Sequence, residues 1–299
     1  MKVGVILPLG ASEEDGIVPS YAGIRSLALA AEEQGLDSAW VYDHLIYRFP
    51  EKPTTGVQEA WTVLTGIAEA TSRVELGCLV FCVPFRNPAL LAKMAATLDQ
   101  VADGRLILGL GAGWHKPEFD AFGYPFDHLA SRFEEALQII VPLVKTGNVD
   151  FTGQYYAAPN CELLPRPREG GIPVLIASRR PRLLQLTARF ADQWNTAWLG
   201  RVDALTDRRA ALEAASVEAG RDPKTLEITV GVNVGFPELG AQRDEIDPAK
   251  VIWGSVDDVA AGLRGYADAG VGHLICALEP LTGESVALLA RAWKLANRG

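Results

Sequence analysis

Short β-rich runs alternate with helical segments eight times along this chain, and this alternation restricts the possible folds more than any other feature of the sequence. Repeats of strand and helix favour a parallel sheet covered by helices. The predicted strands span residues 2–7, 38–42, 74–82, 105–110, 173–177, 192–196, 225–232 and 273–277. The predicted helices span residues 21–34, 59–72, 88–102, 129–145, 181–190, 202–219, 256–269 and 285–296. Eight such units in 299 residues favour a closed (β/α)8 TIM barrel, an α/β fold.

The chain lacks the sequence signature of the open alternative, a doubly wound sheet that binds dinucleotides. That fold carries a Gly-x-Gly-x-x-Gly turn after the first strand, whereas the run Leu7-Pro8-Leu9-Gly10 leads only into a polar loop. Four connections are longer than a turn requires, and we expect them to be insertion loops: residues 45–57, 114–128, 147–173 and 233–250. The third should contain a small hairpin over residues 149–156. We predict one domain over residues 1–299.

Composition and charge narrow the class of partner. The chain is 48% hydrophobic with a net charge of -9, and an acidic protein attracts neither nucleic acid nor an anionic membrane without a local basic patch. A small-molecule substrate fits better. The start of the sequence lacks the pattern of a secretion signal and no apolar run is long enough to cross a bilayer, so we expect a cytoplasmic protein.

The cysteines show no spacing typical of a metal site. Cys78 and Cys82 lie four residues apart in one predicted strand, which would point both side chains to the same face. We expect these two, Cys161 and Cys276 to be reduced core residues.

Three of the predicted strands end in polar, basic or glycine-rich residues. The second is followed by Asp43 and His44, the third by a run that ends at Arg86, and the fourth by Gly111-Ala112-Gly113-Trp114. The carboxyl ends of parallel strands meet at one end of a barrel, where the active sites of TIM-barrel enzymes lie. These residues therefore predict one site.

Four segments of the chain resemble the bacterial luciferase-like superfamily of flavin and deazaflavin oxidoreductases, and within it the group that uses the deazaflavin coenzyme F-420. The segments are Trp40-Val41-Tyr42-Asp43-His44-Leu45, Arg86-Asn87-Pro88-Ala89-Leu90-Leu91-Ala92-Lys93, Gly104-Arg105-Leu106-Ile107-Leu108-Gly109-Leu110-Gly111-Ala112-Gly113-Trp114, and Ala188-Arg189-Phe190-Ala191-Asp192-Gln193-Trp194-Asn195. Their order and spacing carry the resemblance over essentially the whole chain.

The resemblance implies where a cofactor would lie. Its ring would lie across the carboxyl ends of the strands, above a bulge with a cis peptide bond at Leu79-Val80. Its phosphate would bind after the fifth strand, near Ser178 and Arg179, at the N-terminus of a helix. The family's usual small residues are replaced here by Arg179 and Arg180, and we expect Arg179 to bond the phosphate. The resemblance also implies a homodimer formed through the second and third helices.

His44 is the first candidate for catalysis, because an imidazole can hold or donate a proton near neutral pH. The family's Asp-His pair lies beside the reactive ring, so the resemblance implies that Asp43 also contacts the cofactor, and we expect Asp43 to fix the orientation or charge of His44. Glu59 either reaches the pocket as a further catalytic carboxylate or only caps the second helix. Gly111 and Gly113 would let the backbone approach the ring or its phosphate.

Trp114 stands where some relatives have a proton-donating acid, which leaves Glu118 or His115 as substitutes. Trp114 and Trp198 are the predicted walls of the substrate pocket, although Trp198 is as readily explained by loop packing. No metal site is predicted.

The resemblance implies an oxidoreductase that transfers hydride between coenzyme F-420 and a small organic substrate, an alcohol or ketone or an activated C=C bond. The alternative is an FMN-dependent monooxygenase, in which reduced flavin captures dioxygen. A metal-dependent hydrolase would need clustered ligands at the strand ends, and a Schiff-base lyase would need a lysine on a strand. A noncatalytic flavin-binding protein is the remaining class.

Overall fold

The computed structural model describes residues 1–11, 16–241 and 250–297. Its strands are β1 (Lys2–Ile6), β2 (Ser38–Val41), β3 (Ile46–Tyr47), β4 (Thr55–Gly56), β5 (Glu75–Cys78), β6 (Phe81–Cys82), β7 (Leu106–Gly111), β8 (Asn148–Thr152), β9 (Ala157–Glu162), β10 (Val174–Ala177), β11 (Gln193–Leu199), β12 (Glu227–Gly235), β13 (Val251–Trp253) and β14 (His273–Glu279). Its α-helices are α1 (Tyr21–Gln34), α2 (Ala60–Ala70), α3 (Pro88–Val101), α4 (Lys116–Phe122), α5 (Leu129–Thr146), α6 (Pro181–Phe190), α7 (Leu205–Glu218), α8 (Val256–Asp268) and α9 (Gly283–Ala296).

Eight of the described strands form the closed parallel barrel that the sequence predicts. Their order is β1, β2, β5, β7, β10, β11, β12 and β14, and β14 pairs again with β1. The helices between these strands cover the outside, so this architecture confirms the predicted TIM barrel.

Local capping signals set the helix ends. The Ser20 hydroxyl accepts the Gly23 N–H at the start of α1, and Gly35 ends this helix in a left-handed conformation with φ of +88°. At α8, Ser255 and Asp258 form the reciprocal capping box that their spacing predicts. These ends therefore follow from residues within one helical turn.

Two barrel strands contain a cis peptide bond near their carboxyl ends. The predicted third strand is divided into β5 and β6 by a cis peptide bond at Leu79-Val80, which the family resemblance implies. The sixth strand runs on to Leu199 with an irregularity in register, and Ala197-Trp198 is also a cis bond. Trp198 is therefore part of the strand end rather than of the loop after it.

The long connections carry additional small elements. α4 lies inside the predicted loop of residues 114–128, and β8 and β9 form a hairpin in the third loop that extends to Glu162, beyond the predicted residues 149–156. The hairpin turn is fixed by Glu135 of α5, whose carboxylate accepts three consecutive backbone N–H groups, those of Gln154, Tyr155 and Tyr156. The predicted loop of residues 233–250 begins with an extension of β12, and residues 242–249 lie outside the described part.

The barrel interior is filled by side chains rather than open. One apolar layer consists of Ile6, Trp40, Ile107, Leu175 and Ile275, with Tyr42, Leu79, Val80 and Ala277 packed on it. This layer separates the amino end of the barrel from the carboxyl end. Any ligand of the carboxyl end therefore lies on top of it.

All four cysteines are free thiols. Cys78 and Cys276 belong to the main core, whereas Cys82 packs with Phe85 and Phe119. Cys78 and Cys82, predicted on one strand, lie on the two strands β5 and β6 into which it is divided, and they pack in different clusters. Cys161 is only half-buried, on β9. No helix in the described ranges is long and apolar enough to cross a membrane.

Candidate active site

The segment after β2 supplies the centre of the carboxyl rim. Tyr42 extends over the apolar layer, and its hydroxyl oxygen accepts the backbone N–H groups of Leu9 and Gly10 at 2.9 and 2.6 Å. Burial raises the pKa of Tyr42, although these two bonds work against the rise. Tyr42 is therefore a neutral, fixed ring beside His44.

Asp43 turns away from the mouth and is buried in an ionic network. Its carboxylate accepts two bonds from the Arg86 guanidinium, at 2.6 and 3.1 Å, and the backbone N–H of Cys82 at 2.9 Å. Burial raises the pKa of Asp43, and the bonds and charge of Arg86 oppose that rise. Burial also acts to lower the pKa of Arg86, but Asp43 and Glu59 outweigh it and raise that pKa. Arg86 thus ties the end of β2 to the broken third strand.

Glu59 caps α2 and is the second carboxylate bound to Arg86. Its oxygens accept the backbone N–H groups of Trp61 and Thr62, and Oε1 lies 2.8 Å from Nη2 of Arg86. Burial acts to raise the pKa of Glu59, but these hydrogen bonds and Arg86 lower it. These contacts account for Glu59 without the predicted catalytic role.

His44 is held by Glu118 rather than by Asp43. The Nδ1 atom of His44 lies 3.0 and 3.2 Å from the two carboxylate oxygens of Glu118, which comes from α4. The expectation that Asp43 orients His44 is wrong, because the bonds of Asp43 go to Arg86 and Cys82. The orienting carboxylate is 74 residues further along the chain.

Aromatic rings surround His44. The centroid of Tyr47 lies 4.5 Å from that of His44, and Trp114 meets the imidazole edge-on at 5.5 Å. Trp114 is 60% exposed, in keeping with the predicted pocket wall. His115 packs against Trp114 and Phe49, and its Nε2 accepts the backbone N–H of Arg48 at 3.1 Å. The wall beside His44 is thus aromatic.

The floor of the rim is the bulge at Leu79 and Val80. Val80 fills the space where Gly111 would carry a side chain, because a Cβ atom there would overlap its methyl group. Gly113 has φ of +82°, and a Cβ atom at this position would lie 2.6 Å from Phe119. Contacts within the protein therefore require both glycines, which differs from the predicted role in admitting a ring or phosphate.

Positive charge gathers beyond the fifth strand of the barrel. Arg179 is exposed just before α6, and the first turn of α6 has no side-chain cap. Arg208 donates to Thr196 Oγ1 and to the carbonyl of Ala197 at 2.6 and 2.8 Å. Burial lowers the pKa of Arg208, and the nearby charge of Arg179 lowers it further. Arg179 and Arg208 therefore both contribute positive charge to this part of the rim.

Ser178 is not free to meet that anion with its side chain. Its hydroxyl bonds Thr187 Oγ1 at 2.8 Å, and its carbonyl accepts the indole N–H of Trp194. Among the described residues, Arg179, Arg208 and the first N–H groups of α6 are candidate donors at this part of the rim. Trp198 is 42% exposed at the irregular end of β11.

Two residues that help to build the rim, Tyr42 and Arg208, are given no role there by the sequence. Arg86 marks one of the strand ends that predict the site, but its bonds to Asp43 and Glu59 are not predicted. Arg208 lies on α7, whose sequence gives no sign that it reaches the rim. Among the residues described, no group of three or more His, Cys, Asp or Glu side chains could hold a metal ion.

Comparison with protein families gives a match over most of the chain. A family model described as luciferase-like monooxygenase matches residues 1–238.

Individual relatives fall into two biochemical groups. The pyrimidine monooxygenase RutA of Methylobacterium radiotolerans is 34% identical over 212 residues, which are 64% of this chain and 53% of that protein. The chain thus spans about half the length of this relative. An F-420-dependent glucose-6-phosphate dehydrogenase of Kineococcus radiotolerans is 29% identical over 293 residues, covering 84% of this chain and 86% of that protein.

Solved structures also include both groups. An F-420-dependent secondary alcohol dehydrogenase in complex with an F-420-acetone adduct superposes with a TM-score of 0.81 at 19% identity, over 99% of this chain and 98% of that one. The monooxygenase RslO1 from Streptomyces bottropensis gives 0.78 at 21% identity, over 99% and 98%. At these identities the likeness concerns the fold.

Proposed function

This chain belongs to the luciferase-like monooxygenase family, and we propose that it transfers hydride between coenzyme F-420 and a small organic substrate, an alcohol or ketone or an activated C=C bond. Its relatives include F-420-dependent dehydrogenases and flavin monooxygenases, so it is an oxidoreductase of this family. The choice of coenzyme and substrate is the proposal.

The observation that carries the proposal is the position of His44 at the carboxyl rim, directly after β2. Its side chain is 14% exposed, and in the described part of the chain nothing hydrogen-bonds its Nε2 atom. An imidazole that is fixed at one nitrogen and open at the other can accept or return a single proton. An alcohol dehydrogenation needs this, because the carbon loses a hydride and the oxygen loses a proton.

The rim residues fit a flat ring with an anionic tail. Leu79 and Val80 offer an apolar floor for the ring, while Arg179, Arg208 and the start of α6 offer donors for a phosphate. Trp114 and Trp198 would flank the substrate. When bound, the deazaflavin supplies a ring carbon that takes or gives the hydride.

The second candidate is an FMN-dependent monooxygenase, and the observation that favours it is the 34% identity with pyrimidine monooxygenase RutA. The same floor and anion site could seat FMN. The two candidates differ in oxygen chemistry, since deazaflavin lacks the ring nitrogen needed for a stable oxygen adduct.

A titration of the purified protein with each coenzyme, following ring fluorescence, tests the proposal. We expect saturable binding of the deazaflavin and its reduction by a secondary alcohol, without oxygen uptake. Tight binding of FMN alone, with oxygen consumed by the reduced complex, would replace the proposal with the monooxygenase. Binding of either coenzyme with no turnover of alcohols, aldehydes, ketones or enones would indicate a noncatalytic protein.

We also propose a homodimer in the cytoplasm. A groove of about 480 Å³ lies between α2 and α3 on the outer surface, lined by Trp61, Thr62, Thr65, Lys93, Met94, Thr97, Leu98 and Val101. A second copy of the chain would cover this groove. Light scattering during gel filtration measures the mass of the protein in solution and so distinguishes a dimer from a monomer. The free thiols suit a reducing compartment.

A further inference from the structure

Glu118 connects α4 to the segment after β2 through two adjacent residues. Besides the contact with His44 Nδ1, its Oε2 atom accepts the backbone N–H of Leu45 at 2.9 Å. The hydrogen bond from the Leu45 N–H holds the Glu118 carboxylate in place whether the imidazole carries its proton on Nδ1 or on Nε2. The imidazole is therefore oriented by a group that does not depend on the imidazole for its own position.

Neither Glu118 nor His115 is suited to donate a proton directly to a substrate. The Glu118 side chain is 2% exposed, against 14% for that of His44. His115 is buried, its Nε2 atom already accepts the Arg48 N–H, and burial lowers its pKa. His44 is the titratable group of this cluster that a substrate can reach.

A carboxylate can only accept at neutral pH, so the nitrogen that faces it carries the proton. With the hydrogen on Nδ1, the lone pair of the neutral ring lies on Nε2. From this geometry we propose that Glu118 is the positioning residue of His44, holding the proton on Nδ1 so that Nε2 is the atom that exchanges the substrate proton. The inference rests on the hydride transfer proposed above.

The proton and electron balance is that of an alcohol oxidation. A bound coenzyme would take the hydrogen of the C–H bond together with its electron pair, as hydride, while the O–H bond breaks and its proton forms a bond to Nε2. A C=O double bond results, and His44 becomes an imidazolium whose positive charge faces Glu118 at 3.0 Å. Glu118 remains ionised, as does the carboxylate that orients the histidine of a hydrolase triad.

The first test needs no coenzyme. Ring nitrogen shifts of His44, measured by ¹⁵N NMR in the ligand-free protein at a pH where the ring is neutral, should report the Nδ1–H tautomer. In Glu118→Gln, a side chain of the same size without charge, that preference should be lost. An Nε2–H tautomer in the unaltered protein would overturn the inference, and this measurement stands even where the variant fails to fold.

The second test distinguishes a Glu118 that acts through His44 from a Glu118 that acts independently of it. Glu118→Gln should lower kcat roughly 100-fold while KM changes less than about threefold, and the double variant His44→Ala/Glu118→Gln should be no slower than His44→Ala alone. Losses that multiply in the double variant would contradict the inference.

Asp120→Asn is the matched control, because Asp120 is an exposed carboxylate of the same helix that pairs with Lys116. It should leave the tautomer and kcat unchanged. A protein that neither binds nor turns over either coenzyme would refute the proposed function, whereas the tautomer measurement would still decide the role of Glu118.

Discussion

His273 and His44 belong to the same barrel but lie at its opposite ends, and their surroundings differ in the group that each ring meets. His273 begins β14 at the amino end, is fully buried, and its Nε2 lies 2.7 Å from the Ser38 hydroxyl. Burial lowers its pKa to about 3. His44 follows β2 at the carboxyl end and meets a carboxylate.

The comparison shows how one scaffold produces an inert and an available imidazole. Ser38 also accepts the indole N–H of Trp40 at 2.8 Å, so it forms a neutral cluster below the apolar layer. His273 is thereby kept neutral and structural, whereas Glu118 holds His44 at Nδ1 and the open side of the ring admits a substrate. The apolar layer between the two histidines separates His273 from the carboxyl rim, where a substrate would bind.

The largest effect on activity is expected from removing the imidazole of His44. His44→Ala should lower kcat by about 10²- to 10⁴-fold, the range for general acid–base groups, while coenzyme affinity changes little. Steady-state kinetics and fluorescence titration measure the two quantities. His128→Ala, at an exposed histidine, should leave both unchanged. Lost coenzyme affinity with kcat preserved would make His44 a binding residue instead.

Removing the positive charge beneath the rim tests how the segment after β2 is held. Arg86→Met leaves Asp43 as a buried carboxylate without its cation, and losing one partner of such a pair typically costs about 3–5 kcal/mol. Urea unfolding at pH 7 should show a loss of this order, reduced when Asp43→Asn is added. Arg201→Met removes an exposed ion pair and should change stability little. An equally small loss in Arg86→Met would contradict the proposed anchoring.

The pH dependence of stability tests the inert histidine. An unfolded imidazole binds a proton near pH 6.5, but folded His273 does so only near pH 3. Between these values the unfolded chain binds more protons, so the free energy of unfolding falls as the pH decreases, by roughly 1.4 kcal/mol per pH unit.

His273→Gln lacks this contribution, and the stability difference between the two proteins should therefore shrink between pH 6 and 4. Denaturant unfolding at several pH values measures it. A difference that stays constant would mean that His273 titrates alike in both states.

The smallest expected effect concerns the anion site. Arg179→Ala should weaken coenzyme binding about tenfold, since a charge-assisted hydrogen bond contributes roughly 1.5–3 kcal/mol and an exposed one lies near the lower limit. Arg180→Ala, the adjacent exposed arginine, is the matched control. Equal losses in both variants would indicate a general effect of charge rather than a bond from Arg179.

The sequence predicts the parts of the molecule that depend on near neighbours. α1 ends where Gly35 permits a left-handed residue, and α6 matches its predicted range because Pro181 can only begin a helix. The family resemblance implied the cis bond at Leu79-Val80, which no local propensity would have indicated.

The contacts that define the rim join distant residues, and the sequence could not predict them. Glu118 is 74 residues from His44, and Arg86 is 43 residues from Asp43. Adjacency in sequence suggests that Asp43 orients His44, yet Asp43 is buried against Arg86 and Cys82 while His44 bonds Glu118. The packing of Gly111 against Val80 and of Gly113 against Phe119 likewise joins separate segments and could not be predicted, while the approach of a cofactor to these glycines stays a prediction.

The position of the coenzyme ring in a crystal of the complex tests the central claim most directly. We expect the ring on the floor formed by Leu79 and Val80, with His44 Nε2 facing the substrate side and the phosphate near Arg179. A ring bound elsewhere, or a rim closed by its own side chains in the complex, would contradict it.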